Sequence, residues 1–234
     1  MESFKTKFPH LKAIVFDLDD TLYDRNIFEY GAYKKISTEL EKNYSVESEL
    51  LFDALKKINL KKFSNYNNLF KESLTSIGIF DDNLVEICIK IYRSYDPKKL
   101  KLFEGVRNTL EKIKNEYKIG LITNGRIDTQ RKKIKALQLE NFFKNIVFPS
   151  DLGRDKIYNK PHIKPYQIMS DLLQLEAKYI CYIGDNPYID FKGAKQLNMT
   201  CIRVLTGEYK NTYTDKKDNS GIYLYPTIES IFNG

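Results

Sequence analysis

Five short apolar runs constrain the fold of this 234-residue chain more than any other feature. Residues 13–16 (AIVF), 118–122 (KIGLI), 145–148 (NIVF), 179–183 (YICYI) and 200–205 (TCIRVL) are dominated by apolar, β-branched and aromatic side chains. Such runs suit strands covered on both faces, the condition of a parallel sheet. Helical patterns lie between them. Residues 105–116 align Val106, Leu110 and Ile113; 127–139 align Ile127, Ile134 and Leu137; 165–175 align Ile168, Leu172 and Leu175. Strand and helix in alternation predict an α/β fold, a Rossmann-like parallel sheet with helices on both faces and right-handed crossovers.

Residues 25–100 break the alternation with helical periodicity alone. Ile36, Leu40 and Tyr44 share one face, Leu51, Leu55 and Ile58 the next, then Phe70, Leu74 and Ile77, then Leu84, Ile87 and Ile91. The stretch is too long for a loop and too apolar for disorder, so it reads as an inserted bundle of roughly four helices. The expected division is a core from 1–24 and 101–234 around a helical cap at 25–100, with Pro97 ending the last cap helix. The polar stretch 207–221 reads as a surface loop, followed by a short strand at IYLY and a last helix at TIESIF.

The formal charge of +7 comes from lysines spread along the chain among acids, with no basic block, so no nucleic-acid partner is expected. No run approaches the ~18 apolar residues of a membrane span, and the first residues lack a signal peptide's apolar region. A cytoplasmic location and no membrane partner are the expectation. Cys88, Cys181 and Cys201 show no CxxC spacing; Cys181 and Cys201 read as core residues. Nothing in the sequence distinguishes a monomer from a homodimer.

Ligands of open parallel sheets bind beyond the carboxyl ends of the strands. The first strand delivers Asp17 and Asp19, the second Thr123-Asn124-Gly125, and the run 179–183 delivers Gly184-Asp185, with Asp190 shortly after. Carboxylates from separate segments in one place require a cation, and a hard, oxygen-seeking ion such as Mg²⁺ suits them. An EF-hand reading of Asp17 onward fails, because the sixth and twelfth positions are Leu22 and Phe28. A receiver domain would carry its phospho-accepting Asp further along the fold and no helical insert.

These residues resemble the motifs of the haloacid dehalogenase superfamily of phosphotransferases. Asp17, Asp19 and Thr21 match DxDxT after a strand, Thr123 matches the second motif, and Gly184, Asp185 and Asp190 match the acidic fourth. The third motif is a Lys, often before Pro. "NKPHIKPY" offers Lys160 and Lys164, and Lys160 has the better spacing to the following helix. The resemblance implies Asp17 as nucleophile, forming an aspartyl-phosphate, and Asp19 as general acid and then base. It also implies Mg²⁺ held by Asp17, the Asp19 carbonyl and Asp185, with Asp190 orienting the metal shell. Thr123, Asn124 and Lys160 would bind the phosphoryl oxygens. Asp20 and Asp24 have no necessary role, and Asp20 is expected to cap the following turn.

Within that family, Asp19 argues against dehalogenation, since halide leaves without a proton. Phosphomutases keep both aspartates but more often show Gly after the second; a binding-only member has no need of the whole set. The expected reaction is Mg²⁺-dependent hydrolysis of a small phosphorylated metabolite, with phosphomutase or non-catalytic binding as alternatives. The helical insert corresponds to the family's cap over the site; Arg25, Tyr30, Tyr33 and Arg126 are candidate lining residues. The chain is also similar to phosphoglycolate phosphatases, and "TNGRIDTQRKKI" to the TNGxxxxQxxK segment of acylneuraminate phosphatases and some pyrimidine nucleotidases. A sugar phosphate is the first choice of substrate and a nucleoside monophosphate the second.

Overall fold

The computed structural model describes residues 3–62, 67–153, 156–212 and 220–233. Parts of the expected breaks at 63–68 and 207–221 lie outside the described residues. The chain forms two compact units, Met1–Arg25 with Lys99–Gly234, and Asn26–Lys98.

The first unit is an α/β domain of Rossmann-like architecture. After a single-turn helix α1 (Phe4–Lys7), the strands are β1 (Ala13–Phe16), β2 (Lys118–Ile122), β3 (Asn145–Val147), β4 (Ile180–Gly184), β5 (Thr200–Val204) and β6 (Ile222–Tyr225). They form one sheet in the order β3-β2-β1-β4-β5-β6, parallel throughout. Every residue of β1 and β4 is buried, which explains their uninterrupted apolar sequence. Strand order reverses direction at β1, so the crevice between the carboxyl ends of β1 and β4 is the switch point where such sheets bind ligands.

Its remaining helices pack by one face. In α6 (Val106–Ile113) the buried residues are Val106, Thr109, Leu110 and Ile113, as expected, whereas in α8 (Lys164–Leu173) they are Pro165, Tyr166, Met169 and Leu173 rather than the expected Ile168, Leu172 and Leu175, of which Leu172 is exposed. Met169, Tyr166 and Leu173 join Val15, Ile122, Val147, Tyr182 and Cys201 in one core cluster. Each such side chain contributes about 1.5–3 kcal/mol on burial. Helix α9 (Lys192–Gln196) ends through Asn198 at φ 60, a left-handed conformation that Asn tolerates. Thr227 closes a capping box on α10 (Ile228–Phe232). In α7 (Ile127–Ala136) the expected Ile134 is buried, as is Leu137 just past its end, but Ile127 is only half-buried and the polar Thr129, Gln130 and Lys133 are buried beside them.

The second unit holds most of α2 (Arg25–Tyr44), then α3 (Ser48–Lys62), α4 (Leu69–Ser76) and α5 (Asp82–Ser94). Its core gathers Tyr33, Ile36 and Leu40 of α2 with Leu51, Leu55, Leu74, Leu84 and Cys88. Asp81 caps α5 by accepting the Asn83 N–H at 2.8 Å, and the chain turns extended at Tyr95, ahead of Pro97. Among the described residues no helix is long and apolar enough to cross a membrane.

Candidate active site

The sheet positions the acidic residues. The Asp17 N–H donates to the Ile183 carbonyl (2.9 Å) and the Thr123 N–H to the Val147 carbonyl (3.2 Å), so both residues leave the sheet at its carboxyl edge. Asp185 follows β4 directly. A carboxylate oxygen from each of Asp17, Asp185 and Asp190 lies within 4.8 Å of the other two, and all three residues are buried. A Cβ at Gly184 would collide with the Asp190 carboxylate, so only glycine lets that side chain approach the end of β4.

Lys160 is the cation inside this group, its side chain 1% exposed. Its Nζ donates to Asp17 Oδ1 (2.5 Å), Asp190 Oδ1 (2.7 Å) and the Tyr182 hydroxyl (2.9 Å), which occupies all three ammonium protons. Tyr182 donates to Asp190 Oδ1 (3.1 Å), and the Asn186 N–H to Asp190 Oδ2 (2.9 Å), so both Asp190 oxygens are engaged. By contrast, Asp17 Oδ2 and Asp185 Oδ2 accept no hydrogen bond from the described residues; Asp185 Oδ1 accepts the Thr21 hydroxyl (3.1 Å). Lys164, the other candidate, opens α8 and is exposed. The Asn124 side chain is committed to the Lys160 backbone, accepting its N–H (3.0 Å) and donating to its carbonyl (3.1 Å).

Three carboxylates and one ammonium leave this pocket short of positive charge. The nearby Arg203 spends its guanidinium on the carbonyls of Asp185, Tyr209 and Thr212. Burial pushes the Asp17 carboxyl up; Lys160 opposes the shift, Asp190 and Asp19 add to it, and the value rises to about 7. Burial likewise drives Asp185 well above the carboxylate range, reinforced by Asp190 and Asp17. For Lys160 burial disfavours the charge, but Asp17 and Asp190 reverse the balance and hold it protonated. A divalent cation among these oxygens would supply the missing charge, so the donor set fits a hard metal ion.

Asp19 faces a different environment. Its Oδ1 accepts the Tyr23 hydroxyl (2.5 Å) and Lys133 Nζ (2.7 Å), and its Oδ2 accepts Gln130 Nε2 (2.9 Å) and Lys133 Nζ (3.0 Å). Gln130 also donates to the Thr123 hydroxyl (2.6 Å). Burial alone would raise the Asp19 carboxyl, but the Lys133 charge, helped by the hydrogen bonds, holds it below the usual range. The Asp19 side chain therefore stands apart from the three clustered carboxylates.

No sequence motif assigns a role to Gln130, Lys133, Tyr23 or Tyr182. Gln130 and Lys133 are three residues apart on the inner face of α7, and only the similarity of the TNGxxxxQxxK segment marks them. Asp20, at φ 59, accepts the Arg25 N–H (3.1 Å), the first residue of α2, as a turn cap would. Burial raises its carboxyl to about 6 against the pull of Arg25. Of the candidate lining residues, Arg25 is buried and pairs with Asp20 and Glu208, and Tyr33 sits in the helical core with Tyr30 packed beside it. Arg126 is exposed and pairs with Asp128.

Residues 14–204 match the family model of haloacid dehalogenase-like hydrolases. The chain is 29% identical to a glyceraldehyde 3-phosphate phosphatase of Methanocaldococcus jannaschii, covering 94% of this chain and 98% of that one. It is 26% identical to the human N-acylneuraminate-9-phosphatase, over 78% of this chain and 77% of that one. In fold it matches a HAD-hydrolase from Bacillus subtilis, solved bound to magnesium, with a TM-score of 0.68 at 20% identity, covering 95% of this chain and 97% of that one. Since the family model spans the strands that carry all the clustered carboxylates, the chain belongs to the haloacid dehalogenase-like hydrolases.

Proposed function

We propose that this protein is a Mg²⁺-dependent phosphatase that cleaves a small sugar phosphate through an aspartyl-phosphate on Asp17. The chain is a phosphoric monoester hydrolase; the curated relatives described above are phosphatases acting on phosphorylated three-carbon and acylneuraminate substrates. One observation carries the reading: Asp17 offers an uncommitted carboxylate oxygen beside Asp185, in a pocket whose charge calls for a cation.

Asp17 Oδ2 attacks phosphorus in line, forming the O–P bond as the ester P–O bond breaks. Asp19, which Lys133 holds ionised, takes a proton from solvent as it leaves that ion pair and gives it to the departing alkoxide. It then takes a proton from the water that hydrolyses the acyl phosphate, and the ion pair with Lys133 forms again. Thr123 and Lys160 hold the phosphoryl oxygens, Lys160 exchanging one of its present partners for one of them. Asn124 serves the phosphate through its main-chain N–H while its carboxamide fixes Lys160. When bound by Asp17, Asp185 and the Asp19 carbonyl, with Asp190 orienting that shell, Mg²⁺ screens the repulsion between carboxylate and phosphate.

The test is phosphate release from a panel of triose, hexose and acylneuraminate phosphates and nucleoside monophosphates, each with Mg²⁺ and with EDTA. Sugar phosphates should turn over fastest, and chelation should abolish turnover. Activity unaffected by EDTA, or confined to nucleotides, would overturn the corresponding part of the proposal.

A further inference from the structure

Gln130 and Lys133 are buried polar groups, 2% and 4% exposed, to which the proposed reaction assigns no contact with the substrate. Burying an ammonium and a carboxamide on the inner face of α7 is costly unless their hydrogen bonds are met, and both are spent on the reaction's own residues. Lys133 spans both oxygens of Asp19 at 2.7 and 3.0 Å. Gln130 uses its two amide protons separately, one on Asp19 Oδ2 (2.9 Å) and one on the Thr123 hydroxyl (2.6 Å). A single carboxamide thereby ties the end of β1 to the end of β2. Together with the Tyr23 hydroxyl on Asp19 Oδ1, the two residues fix where the Asp19 carboxylate lies and its distance from the group at the end of β2.

We propose that Gln130 and Lys133 are positioning residues for the acid–base group: they set the Asp19 carboxyl in register with the Thr123 hydroxyl so that it can serve the leaving oxygen. This rests on the phosphatase reading and on Asp19 as its acid and base. Neither residue is bonded to Asp17; Lys133 acts through Asp19, and Gln130 through Asp19 and Thr123. The consequence is specific to the leaving group. Departure of an alkoxide needs a proton in the transition state, whereas a nitrophenolate departs without one. Misplacing Asp19 therefore penalises alkyl esters and spares activated aryl esters, while loss of general packing would slow both equally.

The experiment compares kcat/KM, which reports steps through departure of the leaving group, for p-nitrophenyl phosphate and for alkyl phosphates, glyceraldehyde 3-phosphate and glycerol 3-phosphate. Wild type is measured beside Lys133→Met, Lys133→Gln and Gln130→Met, each checked for folding by circular dichroism. The expected result for Lys133→Met is a drop of about 100-fold on the alkyl esters, at the low end of acid–base contributions, and less than about 5-fold on the aryl ester. Gln130→Met should show the same selectivity at smaller amplitude. An equal drop on both ester classes, a rise in KM alone, or unchanged kinetics would overturn the inference. So would failure of all three variants to fold, which would make the cluster a stability element. A wild type inactive on every ester would instead bring down the phosphatase reading, and this inference with it.

Discussion

Asp17 and Asp19 are separated by one residue and lie under opposite electrostatics. On the Asp17 side, three buried carboxylates crowd one ammonium, Lys160, which pairs with only two of them, and burial lifts Asp17 to about 7 and Asp185 well above its usual value. On the Asp19 side, one carboxylate has an ammonium of its own and two further donors, and its value falls. Chain neighbours thus become two kinds of acid: one pocket is short of positive charge and would accept a metal, while the other is already neutralised and needs none. Without a cation Asp17 is held toward its protonated form and Asp19 toward its ionised form, so positive charge beside Asp17 is what would restore the ionised carboxylate that a nucleophile needs.

The largest effect should follow from Asp17→Asn, which deletes the proposed nucleophile and a proposed metal ligand together. Turnover should fall on the order of 10⁴-fold or more, measured as phosphate release. Its effect on stability should run the other way. A carboxyl whose folded value, about 7, lies above its reference value of 3.8 contributes stability below pH 3.8 and loses it as pH rises through 7. In EDTA the wild type should therefore melt at a lower temperature at pH 8 than at pH 5. Asp17→Asn should flatten that slope and melt higher than wild type at pH 8. Mg²⁺, which favours the ionised form, should stabilise the wild type more at pH 8 than at pH 5. A destabilised Asp17→Asn in EDTA at pH 8 would erase the contrast between the two pockets.

Asp19→Asn should give the reverse pattern. Removing the carboxylate takes the Asp19 charge away from the buried Lys133, at a cost of about 3 kcal/mol, the low end for broken buried pairs because Asp19 keeps 21% side-chain exposure. For a chain of this size that is roughly 8 °C in melting temperature. The folded value of Asp19 lies below 3.8, so its contribution is present above pH 3.8 and is lost as pH falls through the folded value. The gap between wild type and variant should close in acid. A loss of similar size at pH 3 and pH 7 would mean that packing, rather than the Lys133 pair, carries it.

Sequence made the two sides unequally legible. The strands over 13–16, 118–122 and 179–183 and the polar residues at their ends can be read because apolar runs and chain order suffice to place them. With strand order known, Asp17, Thr123 and Asp185 have to share the carboxyl edge. Helix α7 could not be read in the same way. Apolar periodicity assigned its inner face to Ile127, Ile134 and Leu137, yet Gln130 and Lys133 occupy that face because their partners are polar groups at the ends of other strands. Hydropathy cannot register a buried lysine whose counter-ion lies 114 residues away. Tyr182 was hidden differently: within β4 it reads as a core aromatic, and only the sheet register aims its hydroxyl at Lys160.

Tyr182→Phe probes the crowded side most gently. The ring stays packed at 5.0 Å from Tyr166, while the hydroxyl that accepts from Lys160 and donates to Asp190 Oδ1 is removed. Lys160 keeps Asp17 and Asp190, so the loss is one charge-assisted hydrogen bond, about 1.5 kcal/mol in an equilibrium melt. Kinetically the change should be a reduction in kcat of no more than about 10-fold at constant KM, because Lys160 gains freedom without losing its charge. Since all three ammonium protons are now taken, one must be released to meet a phosphoryl oxygen. If Tyr182 is the partner that yields, Tyr182→Phe should leave kcat unchanged while still costing stability; if Asp17 yields, kcat should fall, because the freed ammonium then follows the nucleophile less closely.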